Sequence, residues 1–147
     1  MSRLNAKPAL MLPLALVLGG CVANYHPAPG QATARVNLNH VMQPEMCLNG
    51  EIYRLPVDQA GYSRIPAGQR VVLRSRHYVQ GYPASYVCNP SLSLVPQAQG
   101  SYYANLELRN DRCRLEVFRE DPQSAVGLAH EPSVTPGDRC VLKVMQD

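Results

Sequence analysis

The sequence contains no tryptophan, a single phenylalanine and no apolar stretch of membrane-spanning length. A spanning helix needs roughly 20 consecutive apolar residues. The longest run here, Pro8 to Leu18, has eleven, or thirteen with Gly19 and Gly20. Charge is scarce as well: charged residues make up 17% of the chain and the formal net charge is +3. Arg3 and Lys7 supply two of the 14 basic residues, so the chain beyond residue 20 holds 12 basic against 11 acidic groups, about +1. So weak a field excludes a general nucleic-acid binder. Thirteen prolines argue against long helices, and 46% apolar residues argue against disorder.

Catalytic signatures are missing too. There is no Gly-x-Ser-x-Gly, no glycine-rich phosphate loop and no acidic calcium loop. His40, His77 and His130 are scattered, and His26 falls in a Pro/Ala/Gly-rich stretch where a lone imidazole is solvated. Glu107, Glu116 and Glu120 alternate with Arg109, Arg114 and Arg119, which reads as solvated cross-strand pairing rather than a carboxylate pair flanking a cleft. The expectation is a protein that is not an enzyme and that needs no metal or cofactor.

What is present begins at the N-terminus. Arg3 and Lys7 lead the short apolar run, and small residues follow it, as in a secretory signal peptide over residues 1–20. Leu18-Gly19-Gly20-Cys21 resembles the lipobox of bacterial lipoprotein precursors. That resemblance implies a diacylglycerol on the Cys21 sulfur, cleavage before Cys21 by signal peptidase II, and acylation of the new amino group. One acyl chain holds a protein weakly and two or more hold it durably, at about 0.8 kcal/mol per buried CH₂. Val22, where an Asp would retain the protein at the inner membrane in the enteric sorting pattern, points to the periplasmic face of the outer membrane. Residues 21–33 then read as the lipidated cysteine and a flexible tether, whose twelve residues after Cys21 reach at most about 40 Å.

Cys47, Cys88, Cys113 and Cys140 remain. An even number in an exported domain reads as two disulfides, and no Cys-x-x-Cys spacing favours a metal instead. Asp111-Arg112-Cys113-x-Leu115-x-Val117 is echoed by Asp138-Arg139-Cys140-x-Leu142-x-Val144, so both sulfurs share strand parity with core residues. If those two strands are antiparallel neighbours, their first residues lie at opposite ends, too far apart for a direct bond. That argues against one of the three pairings and leaves two, of which the nested one, Cys88–Cys113 with Cys47–Cys140, is the expectation adopted.

Short alternating runs dominate residues 34–147. Candidate strands cover 34–38, 51–56, 69–79, 91–95, 102–109, 113–119 and 140–145. Turn signals separate them, such as Asn49-Gly50, Pro66-Ala67-Gly68, Asn110-Asp111 and Pro136-Gly137. Only Gln123 to His130 has room for a helical turn. In the 102–109 strand, Tyr102 shares parity with Ala104 and Leu106 and should face inward, with Tyr103 outward. The fold expected is all-β, a single β-sandwich of about seven strands stapled by disulfides. Ile65-Pro66-Ala67-Gly68, Val71-Val72-Leu73, Leu92 to Pro96 and Gly100-Ser101-Tyr102-Tyr103 are similar to a group of small envelope lipoproteins with prealbumin-like or immunoglobulin-like sandwich domains. The resemblance spans about residues 50–119 and implies a fold but no catalytic residues.

One region suggests recognition. Arg70, Arg74 and Arg76 fall on one face of the 69–79 run with Tyr78, and Tyr82 and Tyr86 follow in the next loop. Tyr and Arg favour recognition surfaces because they combine large contact area with directed hydrogen bonds. Three arginines on one face would suit an envelope protein or an anionic glycolipid. The expected function is a membrane-anchored, non-enzymatic interaction or accessory module of the cell envelope, held to the bilayer through acylated Cys21. The alternative is a periplasmic inhibitor or ligand binder similar to lysozyme-inhibitor lipoproteins.

Overall fold

A computed structural model describes residues 21–81, 84–109, 112–137 and 140. The signal segment, Tyr82, the Asn110-Asp111 turn and all of the 140–145 run except Cys140 lie outside the described residues. Within them the chain is all-β, with thirteen strands and no helix. The strands are β1 (Ala23–Asn24), β2 (Thr33–His40), β3 (Pro44–Leu48), β4 (Glu51–Arg54), β5 (Tyr62–Pro66), β6 (Val71–Ser75) and β7 (His77–Val79). They continue with β8 (Tyr86–Cys88), β9 (Ser91–Leu94), β10 (Ser101–Arg109), β11 (Arg112–Glu120), β12 (Leu128–His130) and β13 (Thr135–Pro136).

They form three sheets, in the orders β1-β4-β3-β6-β9-β13, β12-β11-β10-β2-β5 and β7-β8. The count corrects the expectation of about seven strands in one sandwich. The extra strands are short or carry proline, and neither produces a clean alternation.

The long strands obey period two. In β2, Ala34, Val36 and Leu38 are buried while Arg35 is exposed; in β6, Val71, Leu73 and Ser75 are buried. Tyr102 and Ala104 of β10 and Leu115 and Val117 of β11 complete one side of the core, and Met46, Leu73, Leu92 and Leu94 the other. A single cluster thus draws on both large sheets. Each fully buried side chain of this size contributes about 1.5–3 kcal/mol. Tyr102 lies inside as its parity requires, and Tyr103 lies on the outer face opposite Phe118.

Asn49 and Gly50 join β3 to β4 with φ of 53° and 85°, the two left-handed positions of a tight hairpin turn that Asn-Gly accommodates. Two disulfides hold the parts together, Cys47–Cys140 and Cys88–Cys113, with Cα–Cα separations of 5.5 and 5.9 Å. This is the nested pairing.

Three further expectations are corrected. The 69–79 run is two strands, broken at Arg76, because β7 leaves the large sheet to pair only with β8. Residues 123–127 form turns and the chain then enters β12, where a helical turn was expected. Most consequential, the stretch expected as a flexible tether is docked. Ala23 and Asn24 pair in parallel with Tyr53 and Arg54, and the Tyr25 N–H donates to the Arg54 carbonyl at 2.9 Å. Tyr25 is buried, packs edge-on against Tyr53 with ring centroids 5.8 Å apart, and its hydroxyl donates to Gln31 Oε1 at 3.2 Å. A tyrosine among prolines and alanines carries enough apolar area to fix the segment.

Candidate functional site

The sequence placed Arg70, Arg74, Arg76, Tyr78, Tyr82 and Tyr86 in one surface. The structure distributes the described members among three places. Arg70 Nη1 donates to Ser93 Oγ at 2.8 Å and to the Ser133 carbonyl at 3.1 Å. Ser133 in turn receives the Val95 N–H at 3.0 Å and donates its hydroxyl to Glu131 Oε1 at 2.6 Å. Arg70 therefore clamps the loop before β13 to β9. Tyr78 stands opposite Val87 on the β7-β8 hairpin, 62% and 59% exposed, while Tyr86 pairs with Val79 at the alternate parity. Arg74 and Arg76 belong to a third location.

That location forms where β1, β3 and β4 meet. In the ladder, Glu45 of β3 stands directly between Arg54 of β4 and Arg74 of β6, so the three side chains share the outer face of the sheet. Glu45 is 7% exposed, and its Oε2 has no hydrogen-bond partner among the described residues. It lines a cleft of about 710 Å³ together with the exposed Arg54 and Arg76, and with Val22 and Asn24 of the docked N-terminal segment. The volume lies within the roughly 300–1,000 Å³ of small-molecule sites.

Local structure fixes this cleft on each side. Gln43 turns the chain into β3 with φ of 43°, a left-handed conformation unusual for a residue with a Cβ. The Ser75 hydroxyl donates to the neighbouring Met42 carbonyl at 2.7 Å and holds that turn against the end of β6. Leu55 is buried, and its N–H donates to the Pro44 carbonyl at 3.1 Å, which locks the start of β3 to the end of β4. Arg76 reaches the cleft because the chain leaves the sheet at that residue.

Chemically, the arrangement joins a recessed carboxylate to two solvent-facing guanidinium groups. A buried carboxylate oxygen without a donor costs about 1–3 kcal/mol or more, a penalty the fold carries at Glu45 Oε2. The guanidinium groups offer forked donors to an anion.

Sequence reasoning missed Glu45. The available signal was a carboxylate in Pro44-Glu45-Met46-Cys47-Leu48, a strand in which both parities are buried. Cys47 shares the parity of Glu45 and is bonded to Cys140.

Several other charged groups among the described residues have structural roles or are solvated. Glu131 is also recessed, and its Oε1 receives the Ser133 N–H and hydroxyl at 3.1 and 2.6 Å. Glu120 departs from the expected cross-strand ion pairing: it accepts the Tyr62 hydroxyl at 2.6 Å and also the Ser101 hydroxyl. Arg35 completes that patch by bonding Ser101 Oγ at 2.9 Å and stacking 4.5 Å above the Tyr62 ring. Glu107 and Glu116 pair along their own strands with Arg109 and Arg114, at 3.4 and 3.2 Å. Such exposed pairs contribute little.

His40 packs near the Tyr103 ring on the outer face of the five-stranded sheet, with centroids 6.0 Å apart. Among the described residues, no group of three or more His, Cys, Asp or Glu is placed to hold a metal ion. Comparison with protein-family models, with curated proteins and with solved structures returns no match.

Proposed function

We propose that the protein is a lipid-anchored, non-enzymatic interaction module of the bacterial envelope, held through Cys21 on the periplasmic face of the outer membrane. The two large sheets around one core are read as a β-sandwich, in keeping with the envelope lipoproteins that the 50–119 segment resembles. The observation that supports the reading is the standing of Cys21. It is exposed and unbridged, while the other four cysteines form two disulfides. A cysteine left out of the disulfide framework, directly after a lipobox-like Leu18-Gly19-Gly20, has the accessibility that thioether formation needs. The hairpin carrying Tyr78 and the cleft at Glu45 are the surfaces offered to partners.

Growth of an expressing strain with labelled palmitate tests the anchor. Label should enter the wild-type chain and be absent from Cys21→Ser, and the variant should leave the sedimenting membrane fraction. An unlabelled wild-type chain, or a variant that carries the same label, overturns the proposal.

A further inference from the structure

We infer that one end of the molecule is a membrane seat, where exposed apolar side chains enter the boundary of an anionic lipid surface and arginines lie level with its phosphates. The ladders define that end. β2 finishes at His40 beside Asn105 of the parallel β10, so the β10-β11 tip with Leu108 and Arg109 lies beyond it. Residues 41–43 then turn into β3, whose first residues Pro44 and Glu45 stand opposite Ser75 and Arg54, the last residues of β6 and β4. β7 departs from the same point. Cys88 of its partner β8 is bonded to Cys113, which stands opposite Leu108.

Apolar exposure is concentrated here. Among the described residues seven large hydrophobic side chains are exposed, and Met42, Val57, Tyr78, Val87 and Leu108 lie on the turns, hairpin and tip of this end. Val22 joins them through the cleft, which it lines with Val57 and Arg76. The seventh, Val126, is at the other end, in the loop after β11. Charge follows the same axis. Arg54, Arg76, Arg109 and Arg112 are exposed here, and of these four only Arg109 has an ion-pair partner among the described residues, Glu107. Asp58, also exposed at this end, accepts the Ala60 and Tyr62 N–H groups on its Oδ1. The opposite end carries the exposed carboxylates Glu51 and Asp121.

The distribution selects a bilayer over a protein. A protein partner needs a contiguous, close-packed contact, whereas these apolar side chains stand on separate segments with arginines among them. A second copy seated on the same end would set arginine against arginine. A fluid surface accommodates separated apolar side chains one by one, tyrosine favours its interface, and arginine extends from apolar neighbours to phosphate. Val22 directly follows Cys21, so the choice of a membrane rests in part on the proposed anchor. The anchor attaches the chain and the seat orients it; the bilayer itself is then the partner of the hairpin.

The chain has no tryptophan of its own, so a single introduced indole reports alone. The test reconstitutes full-length Tyr78→Trp, Leu108→Trp and Val126→Trp into phosphatidylcholine vesicles with and without phosphatidylglycerol, using brominated acyl chains as quencher. With phosphatidylglycerol present, Tyr78→Trp and Leu108→Trp should be quenched at least threefold more than Val126→Trp. Omitting phosphatidylglycerol, or adding Arg54→Glu, Arg76→Glu and Arg112→Glu together, should cut that quenching at least twofold. Thermal melts check that each variant is folded; the indoles replace exposed side chains, and the comparison without phosphatidylglycerol needs no arginine variant.

Equal quenching at all three positions overturns the inference. So does an absence of quenching in both Tyr78→Trp and Leu108→Trp, which assigns this end to a protein partner instead. Quenching indifferent to phosphatidylglycerol overturns the anionic surface. Palmitate labelling separates the two proposals. A labelled protein whose indoles stay unquenched keeps the anchor and retires the seat, and an unlabelled protein quenched at Tyr78→Trp and Leu108→Trp does the reverse.

Discussion

Tyr102 is fully buried, and its hydroxyl oxygen accepts the Gln97 N–H at 2.9 Å across the turn that enters β10. Its inward position was legible from parity with Ala104; the hydrogen bond back to Gln97 was not, because strand periodicity carries no information about the preceding turn. Tyr102→Phe leaves that N–H without its partner. Gln97 is exposed and water replaces part of the bond, so the cost should be about 1 kcal/mol in denaturant melts. Burial also raises the Tyr102 phenol above its ordinary pKa of 10.0, reinforced by the Glu131 charge and opposed by the Gln97 bond and Arg119. Burial raises Tyr25 likewise, against the Gln31 bond. The folded chain therefore holds these protons more tightly than the unfolded one. Their contribution to stability is complete below about pH 10 and is lost as pH rises through the raised values. Unfolding free energy should fall between pH 9 and 11, and less steeply in Tyr102→Phe. Gly61 gives a second test. It sits at φ of 85°, and a Cβ there would meet the Asn39 side-chain amide at 2.1 Å. Asn39 is exposed and can swing aside, so the lasting cost of Gly61→Ala is backbone strain, about 1–2 kcal/mol. A further Asn39→Ala substitution should recover little of it, as urea midpoints would show.

Strands with clean alternation, such as β2, β10 and β11, could be located from the residues to within one or two positions. β3, β5, β8, β12 and β13 could not. β3 opens on Pro44 and buries both faces, β5 ends on Pro66, and the other three have two or three residues each. The Glu45 cleft stayed hidden for the same reason, since it is built on β3 and on a docked segment whose composition is that of a linker. From the residues alone β7 reads as a continuation of β6, because the 69–79 run has no turn residue at Arg76. A two-stranded hairpin is marginally stable alone, and Cys88 ties this one to β11. Replacing Cys88 and Cys113 by alanine should accelerate amide exchange at residues 77–79 and 86–88 at least tenfold, while exchange at β2 and β10 changes little. Equal acceleration in both regions would mean that the hairpin and core open together.

Across the whole molecule, the two disulfides differ in the length of chain they close. Cys47–Cys140 spans 93 residues and Cys88–Cys113 spans 25. Chain-entropy estimates give about 4.7 and about 3.5 kcal/mol respectively. Removing the longer closure as a Cys47→Ala, Cys140→Ala pair should therefore lower the melting temperature more than removing the shorter one. The composition made two disulfides foreseeable and strand geometry argued against one of their three pairings, but the division into three sheets depends on which edges meet, and local periodicity is silent on that. Docking of β1 then changes how the protein occupies its compartment. From Cys21 to buried Tyr25 there are only four peptide steps, at most about 14 Å of extended chain. On the proposed anchoring, the globule does not roam on a leash but lies moored, one flank turned to the lipid. A partner seated in the opposite leaflet stays out of its grasp, and whatever it meets must drift in along the membrane plane.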